Sequence, residues 1–248
     1  MYRIGPLMVG SDHGELAAVY RRPPAEAIAH GPRGGRPAAA QVSPQDDDQR
    51  RSRESMPDTA AIRPPKTIVL VGLMGAGKSS IGRRLAARLK LPFVDADSEI
   101  EAAAGCSISE IFERHGEAAF RDGERRVIAR LLDQPVHVLA SGGGSFMDPD
   151  TRAQIHARGI SVWLRAGVDL LLTRTSRRNT RPLLKNDEPR AVLEKLIAER
   201  YPVYAKANIV VDSAEGPPET TVDRVLTALA DHLRLDREAI AESGDVRS

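Results

Sequence analysis

The chain has 248 residues, 41% of them hydrophobic, a single cysteine (Cys106) and a formal net charge of +2. That length holds one medium domain with a tail or two small domains, and an apolar share slightly below the globular average implies that part of the chain stays unfolded. Near-neutral charge gives no case for a nucleic-acid or membrane-surface partner, one cysteine excludes an internal disulfide and a multi-cysteine zinc site, and no apolar run approaches the roughly 18 residues of a membrane span.

Residues 1–62 contain Arg21-Arg22-Pro23-Pro24, Gly31-Pro32-Arg33-Gly34-Gly35-Arg36-Pro37 and Asp46-Asp47-Asp48. Pro, Gly, Ala and charge dominate there without a sustained apolar period, so this extension is expected to be disordered. Its eight arginines face eight acids, which removes the case for a basic nucleic-acid arm. No apolar stretch follows the first basic residue, so a secretory signal is not expected, and the acids disfavour an organellar transit peptide. Met56 stands just before the first strand and is an alternative translation start.

The first strand is read over 67–71, and it runs into Gly72-Leu73-Met74-Gly75-Ala76-Gly77-Lys78-Ser79-Ser80. Gly72, Gly77, Lys78 and Ser79 satisfy the G-x-x-x-x-G-K-[ST] pattern. Glycines let the backbone curl so that successive N–H groups point at phosphate oxygens. The helix that follows, 78–90 with Ile81, Leu85 and Leu89 at helical spacing, adds the positive end of its dipole. Lys78 reaches the outer phosphates of a nucleoside triphosphate in such a loop, and the Ser79 hydroxyl binds Mg²⁺.

A second strand, 91–94, ends at Asp95-Ala96-Asp97. Two carboxylates two apart on an extended chain point the same way, so one can serve Mg²⁺ through water and the other can accept or orient a hydroxyl proton. The competing use is a turn that caps the next helix through Asp97 or Ser98; the position at a strand end beside the phosphate loop favours a site. Ser98 and Ser109 are read as N-caps of two short helices separated by Gly105. An amphipathic helix over 117–132 carries Phe120, Val127, Leu131 and Leu132, with Arg121 among them. The third strand, 136–140, leads to Ser141 and the triplet Gly142-Gly143-Gly144, whose backbone a ligand can approach closely. A fourth strand at 160–164 precedes a helix at 168–175. Segment 176–189 is polar, basic and irregular, and the arginine-loaded loop 174–184 suits a lid that closes over phosphates and expels water. A helix over 190–205 carries Arg200, a fifth strand spans 209–211, and Val222, Val225, Leu226 and Leu229 mark a last helix before a frayed final dozen residues. Taken singly, Arg121 and Arg200 read as surface residues. Strand–helix alternation with short links means a parallel sheet covered on both faces, and ligands in such folds bind beyond the carboxyl ends of the strands.

Gly72 to Ser79, Asp95-Ala96-Asp97, Phe120-Arg121-x-x-Glu124, Gly142-Gly143-Gly144, Asn179-Thr180-Arg181-Pro182-Leu183-Leu184 and Arg200-x-Pro202-x-Tyr204 occur in the order and spacing of shikimate kinases. The chain resembles that family over about residues 66–235. The resemblance implies an α/β, P-loop NTPase-like three-layer sandwich with a five-stranded parallel sheet in order 2-3-1-4-5, a helical substrate-binding subdomain and a mobile lid. It places the domain over 63–236, with a flexible tail at 237–248. It implies transfer of the γ-phosphoryl of ATP to the 3-hydroxyl of shikimate, in the pathway to chorismate and the aromatic amino acids. By the same likeness Gly75, Ala76, Gly77, Lys78, Ser79 and Ser80 bind ATP, Arg174 flanks adenine, and lid residue Arg181 neutralises charge on the transferring phosphoryl. Asp97 binds shikimate hydroxyls and orients or deprotonates the attacking one, Arg121 and Arg200 hold its carboxylate, and Gly142, Gly143 and Gly144 line its pocket. Ser79 and Asp95 form the Mg²⁺ shell, and Lys78, Asp97 and Arg181 are the catalytic set.

A cytoplasmic monomer with no nucleic-acid or membrane partner is expected. The loop 212–218 departs from some members in having no arginine, which leaves adenine to Arg174 and a proline and loosens nucleotide selectivity. A gluconate kinase of the same fold would share the phosphate loop and lid, yet it supplies no reason for Asp-x-Asp, the triple glycine and the paired arginines together. A nucleotide-binding regulator with a decayed site is disfavoured because Lys78, Asp97, Arg121, Arg181 and Arg200 are all present.

Overall fold

The five strands are short and apolar, and their burial follows from where they lie. The computed structural model describes residues 62–176, 188–213 and 215–245. Strand β1 (Thr67–Val71) is buried at all five positions. Such a run suits the middle of a parallel sheet with helices on both faces, where neither side meets water. β2 (Phe93–Asp95), β3 (Val138–Ala140), β4 (Gly159–Arg165) and β5 (Ile209–Asp212) complete one sheet in the order β2-β3-β1-β4-β5. Every pairing is parallel, as the family resemblance implies. Leu70 lies opposite Ala140 on one side of β1, and Val71 lies opposite Trp163 on the other.

Helix α1 (Lys78–Leu89) leaves β1 through Gly77, a left-handed residue with φ 98° that supplies no side-chain cap. The helix buries Ile81, Leu85 and Ala86 and ends at Lys90, whose own left-handed turn lets its N–H reach the Ala86 and Ala87 carbonyls. α2 (Ala96–Ala104) stops at left-handed Gly105, and α3 (Ile108–Leu132) follows. Both N-caps differ from the expected Ser98 and Ser109. Asp95 caps α2 by accepting from the Asp97 N–H, and Ser107 caps α3 in a reciprocal box with Glu110. In each case the capping oxygen precedes the helix by the spacing that reaches a free first-turn N–H, which the two serines, already inside the helices, do not. α3 breaks at Gly116 (φ 77°, ψ 176°), so the helix read from 117 is its second half.

A 3₁₀ turn at Ser145–Met147 and helix α4 (Pro149–Arg158) fill the stretch between β3 and β4. α5 (Val168–Ser176), α6 (Pro189–Tyr204) and α7 (Pro218–Asp245) are the remaining helices among the described residues. α7 packs on α1 and β5, and its backbone stays helical past the point where the sequence predicts fraying. Of the N-terminal extension only Ile62 is described, and it is buried in the core with Leu70, Leu85, Ile128, Leu139 and Leu226. Among the described residues no helix is long and apolar enough to cross a membrane.

Candidate active site

A cleft of about 550 Å³ lies across the carboxyl ends of β1, β2 and β3. The loop after β1 forms one wall. Gly72 and Gly75 have φ 138° and 82°, and a methyl group on either would come within 2.8 Å of the Leu164 carbonyl or 2.9 Å of Thr175 Cγ2. Only glycine satisfies both the backbone and the space there. Lys78 Nζ donates to the Gly72 carbonyl at 2.7 Å and the Leu73 carbonyl at 3.1 Å, which folds the ammonium over its own loop. Ser79 Oγ donates to Asp95 Oδ2 at 2.7 Å, and Asp95 Oδ1 accepts from the Asp97 N–H at 3.2 Å. Asp95 therefore caps α2 and faces the phosphate loop at once.

Ala76, unlike its neighbours, is buried. Its carbonyl accepts from Arg174 Nη1 at 3.3 Å and Ser213 Oγ at 3.2 Å, and Arg174 Nη1 also donates to Ser213 Oγ at 2.8 Å. Burial lowers the proton affinity of the Arg174 guanidinium from the ordinary arginine value, against a smaller upward pull from Glu215. Gly75, Gly77, Ser80, Arg174, Thr175 and Pro218 all line this end of the cleft.

The opposite wall centres on the glycine triplet after β3. A methyl on Gly142 would sit 3.0 Å from Asp97 Oδ1 and 2.7 Å from Glu124 Oε1; on Gly143, 3.7 Å from Arg200 Nη1; on Gly144, 2.5 Å from Arg121 Nη1. Three consecutive residues thus face, in order, the carboxylates of Asp97 on α2 and Glu124 on α3, the Arg200 guanidinium on α6 and the Arg121 guanidinium on α3. Arg121 Nη1 donates to Glu124 Oε2 at 2.7 Å, while its Nε and Nη2 reach Glu117 Oε1 at 3.4 and 3.3 Å. Burial opposes the charge on Arg121, but Glu124 and then Glu117 outweigh it and push the guanidinium above its usual value. Glu124 is only 3% exposed, and its second oxygen accepts from Ser145 Oγ at 2.6 Å. A carboxylate can remain in such a place only because both oxygens are satisfied. Arg200 Nη1 donates to the Gly143 carbonyl at 3.0 Å, and the Tyr204 hydroxyl donates to the same oxygen. Phe112 and Phe120 stack at 4.6 Å between centroids on the apolar side of the cleft.

Gly75, Gly77, Lys78, Ser79, Ser80, Asp95, Asp97, Arg121, Gly142, Gly143, Gly144, Arg174 and Arg200 are thereby brought to one cleft, with Ala76 behind it. Arg181 and most of the expected lid lie outside the described residues. Sequence reasoning assigned no role to Glu124, Ser145, Tyr204 or Ser213. Glu124 and Tyr204 stand inside motifs already singled out, but an isolated Glu on a helix reads as solvated, and the other three act through contacts to distant side chains and carbonyls that no spacing reveals. Among the described residues no group of three or more His, Cys, Asp or Glu side chains is placed to hold a metal. The Ser79–Asp95 pair offers two hard oxygen ligands instead, which fits Mg²⁺, an ion that takes few protein ligands and keeps phosphate and water for the rest.

A family model described as shikimate kinase matches residues 74–230. A shikimate kinase of Paramagnetospirillum magneticum is 61% identical over 172 residues, covering 69% of this chain and 88% of that protein. One of Rhodopseudomonas palustris is 52% identical over 74% of this chain and 96% of its own length. Among solved structures, the Acinetobacter baumannii shikimate kinase in complex with shikimate superposes with a TM-score of 0.66 at 37% identity, covering 70% of this chain and 97% of that one.

Proposed function

The chain belongs to the shikimate kinase family, and from that membership we infer that it transfers the γ-phosphoryl group of ATP to shikimate, giving 3-phosphoshikimate and ADP in the pathway to chorismate and the aromatic amino acids. The observation that carries this reading is the order in which Gly142, Gly143 and Gly144 face Asp97, Arg200 and Arg121. A small polyol acid needs a guanidinium clamp for its carboxylate and an acceptor for its hydroxyls, and these three side chains supply both within one turn of backbone.

Phosphoryl transfer asks the protein chiefly to align donor and acceptor and to neutralise charge. The Gly75–Ser80 backbone takes the phosphates, with Lys78 leaving its loop carbonyls for their oxygens. Asp97 accepts a hydrogen bond from the attacking hydroxyl, which orients a lone pair at phosphorus and takes up the proton as the new bond forms. Arg121 and Arg200 hold the carboxylate so that only one ring hydroxyl reaches the phosphate. Ser79 and Asp95 would hold Mg²⁺, which would supply positive charge to offset that of the phosphate oxygens. Arg181 adds positive charge at the transferring group, and Arg174 with Pro218 flanks the adenine. The chain acts as a cytoplasmic monomer that uses no nucleic-acid or membrane partner.

A coupled ADP-release assay tests the reading, run on chains beginning at Met1 and at Met56. Shikimate-dependent release is expected from both. Release that depends on gluconate and ignores shikimate overturns the substrate, and ATP binding without turnover of either favours a regulatory protein.

A further inference from the structure

A loop of three glycines has no side chains with which to hold itself, so its shape depends on what binds its carbonyls. The Gly142 carbonyl accepts from the Ser145 N–H at 3.3 Å and the Ser145 hydroxyl at 3.1 Å, and the Gly144 carbonyl accepts from the Met147 N–H at 3.0 Å. Both anchors are local, within the 3₁₀ turn that follows. The middle carbonyl differs: the donors to Gly143 are Arg200 and Tyr204, one turn apart on the same face of α6. Gly143 is also where the acceptor wall meets the phosphate loop, since a methyl there would sit 3.8 Å from the Gly72 carbonyl and 3.8 Å from the Met74 N.

We propose that the Tyr204 hydroxyl is a positioning group for the acceptor pocket: it holds the Gly143 carbonyl so that Arg200 is released to grip the substrate carboxylate. The proposal rests on the reading of the cleft as the shikimate site. A carbonyl oxygen has two lone pairs, and here both are taken by donors from one helix. When Arg200 turns to a carboxylate, its bond to Gly143 weakens, and Tyr204 is the donor that remains. The phenol suits that task. Tyr204 is fully buried and wedged between Phe146 (6.4 Å between centroids) and Trp163 (6.0 Å), so the ring cannot follow Arg200. Burial raises its pKa above the ordinary phenol value, Arg200 pulling less strongly the other way, and the hydroxyl stays a neutral donor at working pH.

Steady-state kinetics on Tyr204→Phe, with Tyr201→Phe as the comparator, decides the matter. Tyr201 lies on the same helix in the same aromatic cluster, but its hydroxyl donates to the Ala166 carbonyl, away from the glycine triplet. Loss of one hydrogen bond predicts a rise of about five- to tenfold in the shikimate KM of Tyr204→Phe, with the ATP KM and the Tyr201→Phe chain both within about twofold of the parent. An unchanged shikimate KM, a parallel rise in the ATP KM, an equal rise in Tyr201→Phe, or loss of the thermal transition in Tyr204→Phe each overturns the positioning role. Failure of the parent chain to turn over shikimate overturns the functional reading instead, and the two failures are read from different samples.

Discussion

Asp97 and Asp95 are two residues apart and do different work. Asp95 has both oxygens engaged, one by the Ser79 hydroxyl and one by the Asp97 N–H, so it is held in place. Asp97 presents its carboxylate to the cleft beside Gly142. Asp97→Asn keeps the shape but loses the proton acceptor, so kcat is expected to fall by about 10² to 10⁴ while ATP affinity by calorimetry stays unchanged. The Gly144 position yields a second, steric test. A methyl 2.5 Å from Arg121 Nη1 must displace the guanidinium from Glu124 and from the clamp. Gly144→Ala is expected to raise the shikimate KM on the order of tenfold, with the ATP KM little moved, because one charge-assisted bond is lost.

The first half of α3 carries Ile108 and Phe112 to the cleft, with Ile111 buried in the core behind them and a defined stop at each end. Ser107 and Glu110 close one end, and Gly116 bends the other. Ser107→Ala removes the box and is expected to cost about 1 kcal/mol of unfolding free energy, read from a denaturant titration. Gly116→Ala meets nothing within 4 Å but must hold φ 77° and ψ 176°, so its cost, about 1–3 kcal/mol, comes from backbone strain alone. These elements also show what a sequence reveals. The phosphate loop and Asp-x-Asp were legible because their spacing is set by chemistry, and the five strands because they are apolar runs bounded by turn residues. The caps were not, since several Ser and Asp residues cluster near each helix start and only the folded backbone selects one. α4 left no apolar period because only Thr151 and Ile155 are buried on it, and its one signal was the start Asp148-Pro149, where Asp148 caps the Thr151 N–H. Glu124 was hidden for the opposite reason: its partners Arg121 and Ser145 make a buried charge tolerable, and Ser145 comes from another element.

Stability of the whole sheet carries a histidine dependence. His137 is buried at the start of β3, with Nδ1 2.9 Å from the Pro135 carbonyl and 3.3 Å from Thr67 Oγ1. Burial holds its imidazole below the ordinary value of 6.5, only partly offset by the Pro135 carbonyl and Glu99. The unfolded chain therefore takes the proton more readily than the folded one. The contribution is complete above about pH 6.5 and is lost as pH falls through that value towards the folded one. Urea midpoints are expected to drop between pH 7 and 5, and His137→Asn, less stable throughout, is expected to lose that part of the slope. Coupling between the two halves of the cleft is expected as well, because a methyl on Gly143 would lie only 3.8 Å from the Gly72 carbonyl and the Met74 N of the phosphate loop. ADP is expected to tighten shikimate binding by the same factor by which shikimate tightens ADP, checked by paired titrations. Beneath both effects lies the register of β1 and β3, hydrogen-bonded neighbours with Leu70 opposite Ala140. The loop that grips the donor and the loop that faces the acceptor leave the sheet one strand apart, a spacing of about 4.8 Å. The sheet is in effect a ruler between two reactants. If α2, α3 and α6 hold the acceptor as proposed, substitutions on them are expected to change acceptor preference without touching that ruler.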